Sequence, residues 1–203
     1  MTLVFEYKKV ILDLRNNIGG ITPIKLLTYL IGSHSFPTMG YSSNLNVSVL
    51  ESYHAIYERF KNELSAPSHL MEALRLSSLG ANPKLVVQLQ DNAELIPNSN
   101  PYVICLTNNN TYSAAEDFVY ALKKSQRATI VGQPTNGSTG QTFIRDVGDD
   151  FILMVPCKLV YLVNQIPFEG VGIEPDILVE HDLDALEKGQ DVVIDKAIEL
   201  FPR

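Results

Sequence analysis

The sequence predicts an α/β fold with a mainly parallel core sheet. Short apolar runs typical of buried strands alternate with helical patterns along residues 10–31 and 102–201. Polar or glycine-rich turns separate strand from helix, which favours right-handed crossovers between parallel strands. Active sites in such sheets lie beyond the carboxyl ends of the strands, so the loops at residues 16–20 and 108–113 are the candidate positions for chemistry.

Composition excludes several classes of protein. The chain has 203 residues, of which 45% are hydrophobic and 19% charged, and its net charge is −7. These values exclude a disordered or fibrous chain, and the acidic balance argues against a nucleic-acid partner. No apolar run has membrane-spanning length. We therefore expect one globular domain over residues 1–203.

The two cysteines, Cys105 and Cys157, both lie in apolar strand-like runs. Two thiols at this spacing make neither a disulfide scaffold nor a zinc site, so we predict buried core thiols. We expect no metal and no other cofactor.

The first predicted unit is a strand, a glycine turn and a helix. Residues 10–15 form the apolar strand, and residues 16–20 form the turn. Thr22 is the predicted N-cap, Pro23 occupies the first helical position, and Gly32 ends the helix.

Residues 33–100 are interpreted as an inserted cap or lid. Apolar residues recur at helical spacing over 49–64, a second short helix covers 70–79, and residues 85–89 form a possible strand.

The α/β alternation resumes at residue 102. The predicted elements are a strand at 102–106, a helix at 113–124, a strand at 128–131, a hairpin of 142–147 with 151–163, a strand at 176–180 and a helix at 190–201.

The two candidate loops contain a serine at a helix start and a pair of glycines. Ser113 followed by Glu116 matches a capping box, which needs no catalytic explanation. A serine there could also be a nucleophile, with the N–H of Ala114 holding a developing oxyanion. Gly19 and Gly20 form a tight turn, and a backbone N–H from either could supply the second donor.

Four ordered motifs resemble those of the C-terminal processing, or tail-specific, serine peptidases. They are LDLRNNIGG at 12–20, TYSAAE at 111–116, VGQPTNG at 131–137 and EGVGIEPD at 169–176. The resemblance covers residues 10–20 and about 101–201. It implies a ClpP/crotonase-like fold of repeated ββα units and an endopeptidase that cuts polypeptide substrates by acyl transfer without a metal.

The resemblance also implies roles for particular residues. Ser113 corresponds to the nucleophile, and the backbone N–H of Ala114 with that of Gly19 or Gly20 corresponds to the oxyanion hole. The run GSTGQ at 137–141 resembles the branch of tricorn protease and interphotoreceptor retinoid-binding protein, which nominates Glu169 as a carboxylate that supports the catalytic residues.

The resemblance does not supply a general base. Ser138 stands where the best-known branch has a lysine, and no histidine precedes Asp13. We expect the base, and a possible PDZ-like segment, to belong to an upstream part of a longer enzyme. Residues 1–12 carry no signal-peptide pattern, so a location in the bacterial periplasm or cell envelope would depend on that upstream part.

Two alternatives to the peptidase stay open. A non-catalytic module that binds a ligand or peptide is the first, because the retinoid-binding relative is a carrier. An acyl-CoA enzyme that shares the ClpP/crotonase fold is the second.

Overall fold

The computed structural model describes residues 7–33, 35–42, 100–140, 142–162, 166–180 and 182–202. Their strands are β1 (Lys9–Asp13), β2 (Gly40–Ser42), β3 (Tyr102–Thr107), β4 (Thr129–Gly132), β5 (Thr142–Val147), β6 (Phe151–Pro156), β7 (Leu159–Tyr161) and β8 (Ile177–Leu178). Their helices are α1 (Ile24–Ile31), α2 (Ala114–Lys124), α3 (Leu183–Glu187) and α4 (Val192–Glu199). Each of these helices is too short or too polar to cross a membrane.

The chain divides into two compact units. The first comprises Met1–Thr38, Gln88–Thr139 and Gly170–Arg203, and the second comprises Met39–Val87 and Gly140–Glu169.

The first unit contains a four-stranded parallel sheet in the order β1-β3-β4-β8. Val10 pairs with Val103, Ile104 with Thr129, and Val131 with Ile177. Because all strands run the same way, the carboxyl ends of β1 and β3 meet at one edge of the sheet. That edge carries the loops 14–20 and 108–113.

Two apolar clusters pack within this unit. One contains buried residues of α1, β3 and α2, and the other joins β3 and β4 to α4. Since parallel strands lie between helical layers, β3 is apolar on both faces, and its sequence is a nearly continuous run of apolar residues. The predicted α/β fold with a parallel core sheet is confirmed.

The second unit contains two antiparallel pairs. β2 pairs with β7, and β5 pairs with β6 in a hairpin. The hairpin carries several large exposed apolar side chains: Ile144, Val147, Phe151, Ile152, Leu153, Met154 and Val155.

Several element predictions need correction. Helix α1 has Pro23, not Thr22, as its N-cap, and no side-chain hydrogen bond caps it. The second hairpin arm does not run through 151–163, because β6 ends at Pro156 and β7 pairs with β2 instead. Cys105 is a fully buried free thiol, as predicted, and burial raises its pKa. Cys157 is only partly buried, because it lies in the connection between β6 and β7.

Other predicted elements differ from the structure in their presence or bounds, or lie outside the described residues. Helix α3 and strand β2 are not predicted from the sequence. The last strand is shorter than residues 176–180, and the final helix begins at Val192 after the N-cap Asp191. The lid helices at 49–64 and 70–79 and the strand at 85–89 lie outside the described residues.

Candidate active site

Ser113 occupies a strained turn between β3 and α2. Its backbone has φ 60° and ψ −132°, a region that residues other than glycine rarely adopt. Such a conformation costs about 1–3 kcal/mol and persists only where the surroundings enforce it. The Ser113 N–H donates to the carbonyl oxygen of Ser138 at 2.9 Å and to Oε2 of Glu116 at 3.1 Å. The turn is therefore held by the loop at 137–139 and by a carboxylate.

Glu116 is a fully buried carboxylate at the centre of this region. Besides the Ser113 N–H, it accepts hydrogen bonds from Thr135 Oγ1 at 2.6 Å, Gly137 N at 2.7 Å and Ser138 N at 3.0 Å. Burial raises its pKa, and the four hydrogen bonds oppose that rise. Glu116 thus joins the serine turn to the loop after β4.

The carboxylate half of the predicted capping box is present, since Glu116 accepts the Ser113 N–H. The Glu116 N–H in turn donates to the backbone carbonyl oxygen of Ser113 at 2.8 Å. The sequence therefore identified this pairing as a cap, whereas the structure adds three further donors to the same carboxylate.

The glycine loop lies directly against the serine turn. A Cβ on Gly19 would fall 2.6 Å from the Ser113 Cβ and 2.8 Å from the Ala114 N. The absence of a side chain at Gly19 therefore permits this approach.

The backbone N–H groups near the serine differ in whether they donate a hydrogen bond. The Gly19 N–H donates to Asn17 Oδ1 at 2.9 Å. The N–H groups of Gly20 and Ala114, by contrast, have no acceptor within the described part of the chain. Ala114 is the first residue of α2, where the helix dipole favours a developing negative charge.

Asparagine side chains tie the glycine loop to the loop after β3. Asn16 donates its N–H to Asn108 Oδ1 at 3.0 Å, and its Oδ1 accepts from the side-chain amides of Asn108 and Asn110. The Tyr112 N–H donates to the carbonyl oxygen of Asn17 at 3.1 Å. These bonds fix the spacing between the two loops that carry Gly19 and Ser113.

Arg15 holds the start of the glycine loop against helix α4. Its guanidinium contacts Asp13 at 2.7 Å and Asp191 at 2.8 Å. Hydrogen bonds from Arg15 lower the pKa of both carboxyls. Asp191 also caps α4 by accepting from the N–H groups of Val193 and Ile194. Arg15 therefore links Asp13, at the end of β1, to the N-cap of α4.

Glu169 belongs to the second unit and is half-buried there. Its Oε1 lies 3.1 Å from the position that a Cβ on Gly140 would take. The role assigned to Glu169 stays a prediction. All four histidines, His34, His54, His69 and His181, lie outside the described residues.

Two residues of this region were not singled out as functional from the sequence. Glu116 was interpreted as an ordinary cap, because its other donors come from residues 135–138 and no local spacing links them to it. Asp191 is far from Arg15 in the sequence, and only folding brings the two side chains into contact. Within the described residues, no group of three or more His, Cys, Asp or Glu side chains is arranged to hold a metal ion.

A strained serine beside two unengaged N–H groups is an arrangement suited to acyl transfer. Residues 3–179 match the profile of peptidase family S41, and the chain belongs to that family.

Individual relatives agree with this membership. A carboxy-terminal-processing protease from Bartonella bacilliformis is 35% identical over 92 residues, which are 45% of this chain and 21% of that protein. The chain is thus homologous to a C-terminal processing protease but spans only about a fifth of its length.

Solved structures share the fold at low sequence identity. Mature CPAF has a TM-score of 0.69 at 17% identity, covering 95% of this chain and 43% of its own. The photosystem II D1 C-terminal processing protease has a TM-score of 0.51 at 19% identity, covering 92% and 40%. These likenesses confirm the ClpP/crotonase-like fold expected from the motifs.

Proposed function

We propose that this chain carries the acylation site of a serine peptidase of the tail-specific, tricorn-like type, with Ser113 as the nucleophile. The observation that carries the proposal is the strained backbone of Ser113 beside the unengaged N–H of Ala114. Strain of this kind clusters at active sites, where it aims a side chain outward. The S41 membership supports a polypeptide substrate.

The proposed reaction has two steps. Ser113 Oγ attacks the carbonyl carbon of a peptide bond and gives its proton to a general base. The C–N bond then breaks, the amine leaves with a proton from the protonated base, and water hydrolyses the acyl-enzyme. Glu169 is proposed to support the charged form of that base.

The oxyanion that forms in the attack needs preorganised donors. We assign one to the N–H of Ala114. For the second, Gly19 and Gly20 were equal candidates, and the engagement of the Gly19 N–H with Asn17 favours Gly20. Removing one such donor typically lowers kcat by about 100- to 1,000-fold.

The peptidase is favoured over the non-catalytic binding module. The chain belongs to a peptidase family, and the relatives described above are proteases.

A fluorophosphonate probe tests the proposal on the protein in its full natural length. We expect covalent labelling that disappears in Ser113→Ala and persists in Ser35→Ala, which removes an exposed serine elsewhere in the first unit. Peptide mapping then identifies the labelled residue. Equal labelling of the native protein and Ser113→Ala would eliminate Ser113 as the nucleophile.

A further inference from the structure

An open groove lies at the amino ends of β3 and β4. It is lined by the residues at the start of β3 and just before it, by the end of α2 and by the turn that leads into β4. Its volume is about 660 Å³, within the roughly 300–1,000 Å³ usual for small-molecule sites. The six residues of β3 rise by about 20 Å, so the groove is remote from the edge of the sheet that leads to Ser113.

Positive charge is concentrated in this groove. Three cationic side chains line it, namely Lys123 and Lys124 at the end of α2 and Arg127 in the turn after the helix. Asp176 is the carboxylate among its described lining residues. The whole chain has a net charge of −7, so the groove runs against the overall balance. A cleft lined by one sign of charge raises the local concentration of ligands of the opposite sign.

Asp176 compensates one of the three cations. Its Oδ1 lies 2.8 Å from Lys123 Nζ, and its Oδ2 accepts the Ile130 N–H at 2.8 Å. Lys123 also donates to the carbonyl oxygen of Glu174 at 2.6 Å. Because Lys123 and Asp176 form a pair and both oxygens of Asp176 are engaged, this carboxylate does not neutralise the other two cations.

Arg127 presents a guanidinium group that is already held in place. Its Nε donates to the carbonyl oxygen of Leu30 at 2.7 Å, and its Nη2 donates to that of Pro101 at 3.4 Å. Both acceptors are neutral, and within the described part of the chain Arg127 forms no ion pair and its Nη1 has no acceptor. A guanidinium has five N–H donors in a rigid fork that matches carboxylate and phosphate oxygens. Arg127 therefore retains donors for an anion.

Lys124 supplies the second uncompensated charge. Its Nζ lies 5.8 Å from the centroid of the Tyr120 ring, and it forms no hydrogen bond or ion pair with the residues that the structure describes. The side chain is exposed, and its flexible stem allows the ammonium group to move toward a bound ligand.

The end of α2 does not cancel these charges. The carboxyl end of a helix carries partial negative charge on carbonyl oxygens that lack partners. Here the carbonyl oxygens of Ala121, Leu122 and Lys123 accept N–H groups from the turn at 125–127. The last turn of the helix is thus capped, and the full positive charges of Lys124 and Arg127 dominate the groove.

We propose that this groove binds a small organic anion that carries at least two carboxylate or phosphate groups. One group binds the Arg127 guanidinium, and a second binds the Lys124 ammonium. Pro101, Tyr102 and Ala128 also line the groove and would contact the carbon skeleton of the ligand. A single inorganic ion would fill only a small part of about 660 Å³, which favours an organic ligand.

Calorimetry on the protein in its full natural length tests the proposal. The probes are citrate, which carries three carboxylates, and fructose 1,6-bisphosphate, which carries two phosphates. We expect at least one of them to bind more tightly than about 1 mM. Its affinity should fall as salt is added, because ions screen the attraction between exposed charges. The tighter of the two probes identifies the anionic group that the groove prefers.

Two variants and a matched control locate the site. Arg127→Gln should weaken binding by about 10-fold or more, because it removes hydrogen bonds from a charged donor. Lys124→Glu should weaken binding by about 3- to 10-fold, because it replaces an attraction by a repulsion. Lys188→Glu makes the same change at an exposed lysine that does not line the groove, and it should leave the affinity within about twofold.

Circular dichroism checks that each variant folds. Arg127 also holds two backbone carbonyl oxygens, so if Arg127→Gln fails to fold, the comparison of Lys124→Glu with Lys188→Glu decides. Failure of both probes to bind at about 1 mM would overturn the proposal. An equal loss of affinity in Lys124→Glu and Lys188→Glu would also overturn it, since the binding would then follow the overall charge.

Discussion

Gly19 and Gly20 form a matched pair that tests how closely the glycine loop approaches the serine turn. Both have positive φ, at 89° and 129°. A Cβ on Gly19 would lie 2.6 Å from the Ser113 Cβ and 2.8 Å from both the Ala114 N and the Tyr112 O, whereas one on Gly20 would have no heavy atom within 4 Å. Alanine at Gly19 is therefore both strained and crowded, and alanine at Gly20 is only strained.

The difference between the two variants isolates the crowding. Each alanine pays about 1–3 kcal/mol of backbone strain, and each recovers about 0.4–1 kcal/mol through the lower entropy of the unfolded chain. Gly19→Ala adds an overpacking cost of about 1–3 kcal/mol, since two of the crowded atoms are backbone and cannot rotate away. We expect Gly19→Ala to be less stable than Gly20→Ala by that amount.

Urea denaturation followed by circular dichroism measures the two free energies of unfolding, with unchanged m-values as the check that the unfolded states are comparable. A difference below about 0.5 kcal/mol, within the scatter for unremarkable substitutions, would refute the packing of Gly19 against Ser113.

Three further variants probe the surroundings of the site. Ser113→Gly should abolish labelling yet be about 0.5–1 kcal/mol more stable than Ser113→Ala, because glycine relieves the positive-φ strain and loses only part of that gain through its greater backbone entropy in the unfolded chain. Thermal unfolding measures the difference, and a glycine variant less stable than the alanine variant would contradict the strained turn. Glu116→Gln should lose about 1–3 kcal/mol, since its amide group would face buried donors from which it cannot accept hydrogen bonds. A urea midpoint equal to that of the native protein would contradict the four-donor arrangement. Asp191→Asn keeps the helix cap but weakens the contact with Arg15, so it should cost about 1 kcal/mol at neutral pH. Because Arg15 lowers the pKa of Asp191, this cost should vanish as the pH falls through the folded-state pKa, and a cost independent of pH would argue against the ion pair.

The sequence predicts the parallel sheet well, for a physical reason. Strands covered on both faces must be apolar throughout, so β3 and β4 are visible as short apolar runs. Strand β2 has three residues and no periodicity that could reveal it. The second hairpin arm was predicted too long because apolar residues continue past Pro156, where the missing N–H cannot extend the ladder.

The candidate site is only partly visible in the sequence. The motifs identify Ser113 and the glycines by their order along the chain. They do not reveal that Ser113 has a positive φ, because backbone strain is enforced by tertiary contacts. The engagement of the Gly19 N–H is equally hidden, since it depends on the rotamer of Asn17.

The sheet order has a consequence for how the chain folds during synthesis. β1 pairs with β3, roughly ninety positions later, so a long loop must close before the first sheet contact forms. Until β3 leaves the ribosome, the apolar strand β1 lacks the partner that it has in the described sheet and is open to mispairing. The glycine loop and the serine turn consequently come together late, when α2 has been made. A nascent chain halted before that point has the glycine loop but not the serine turn.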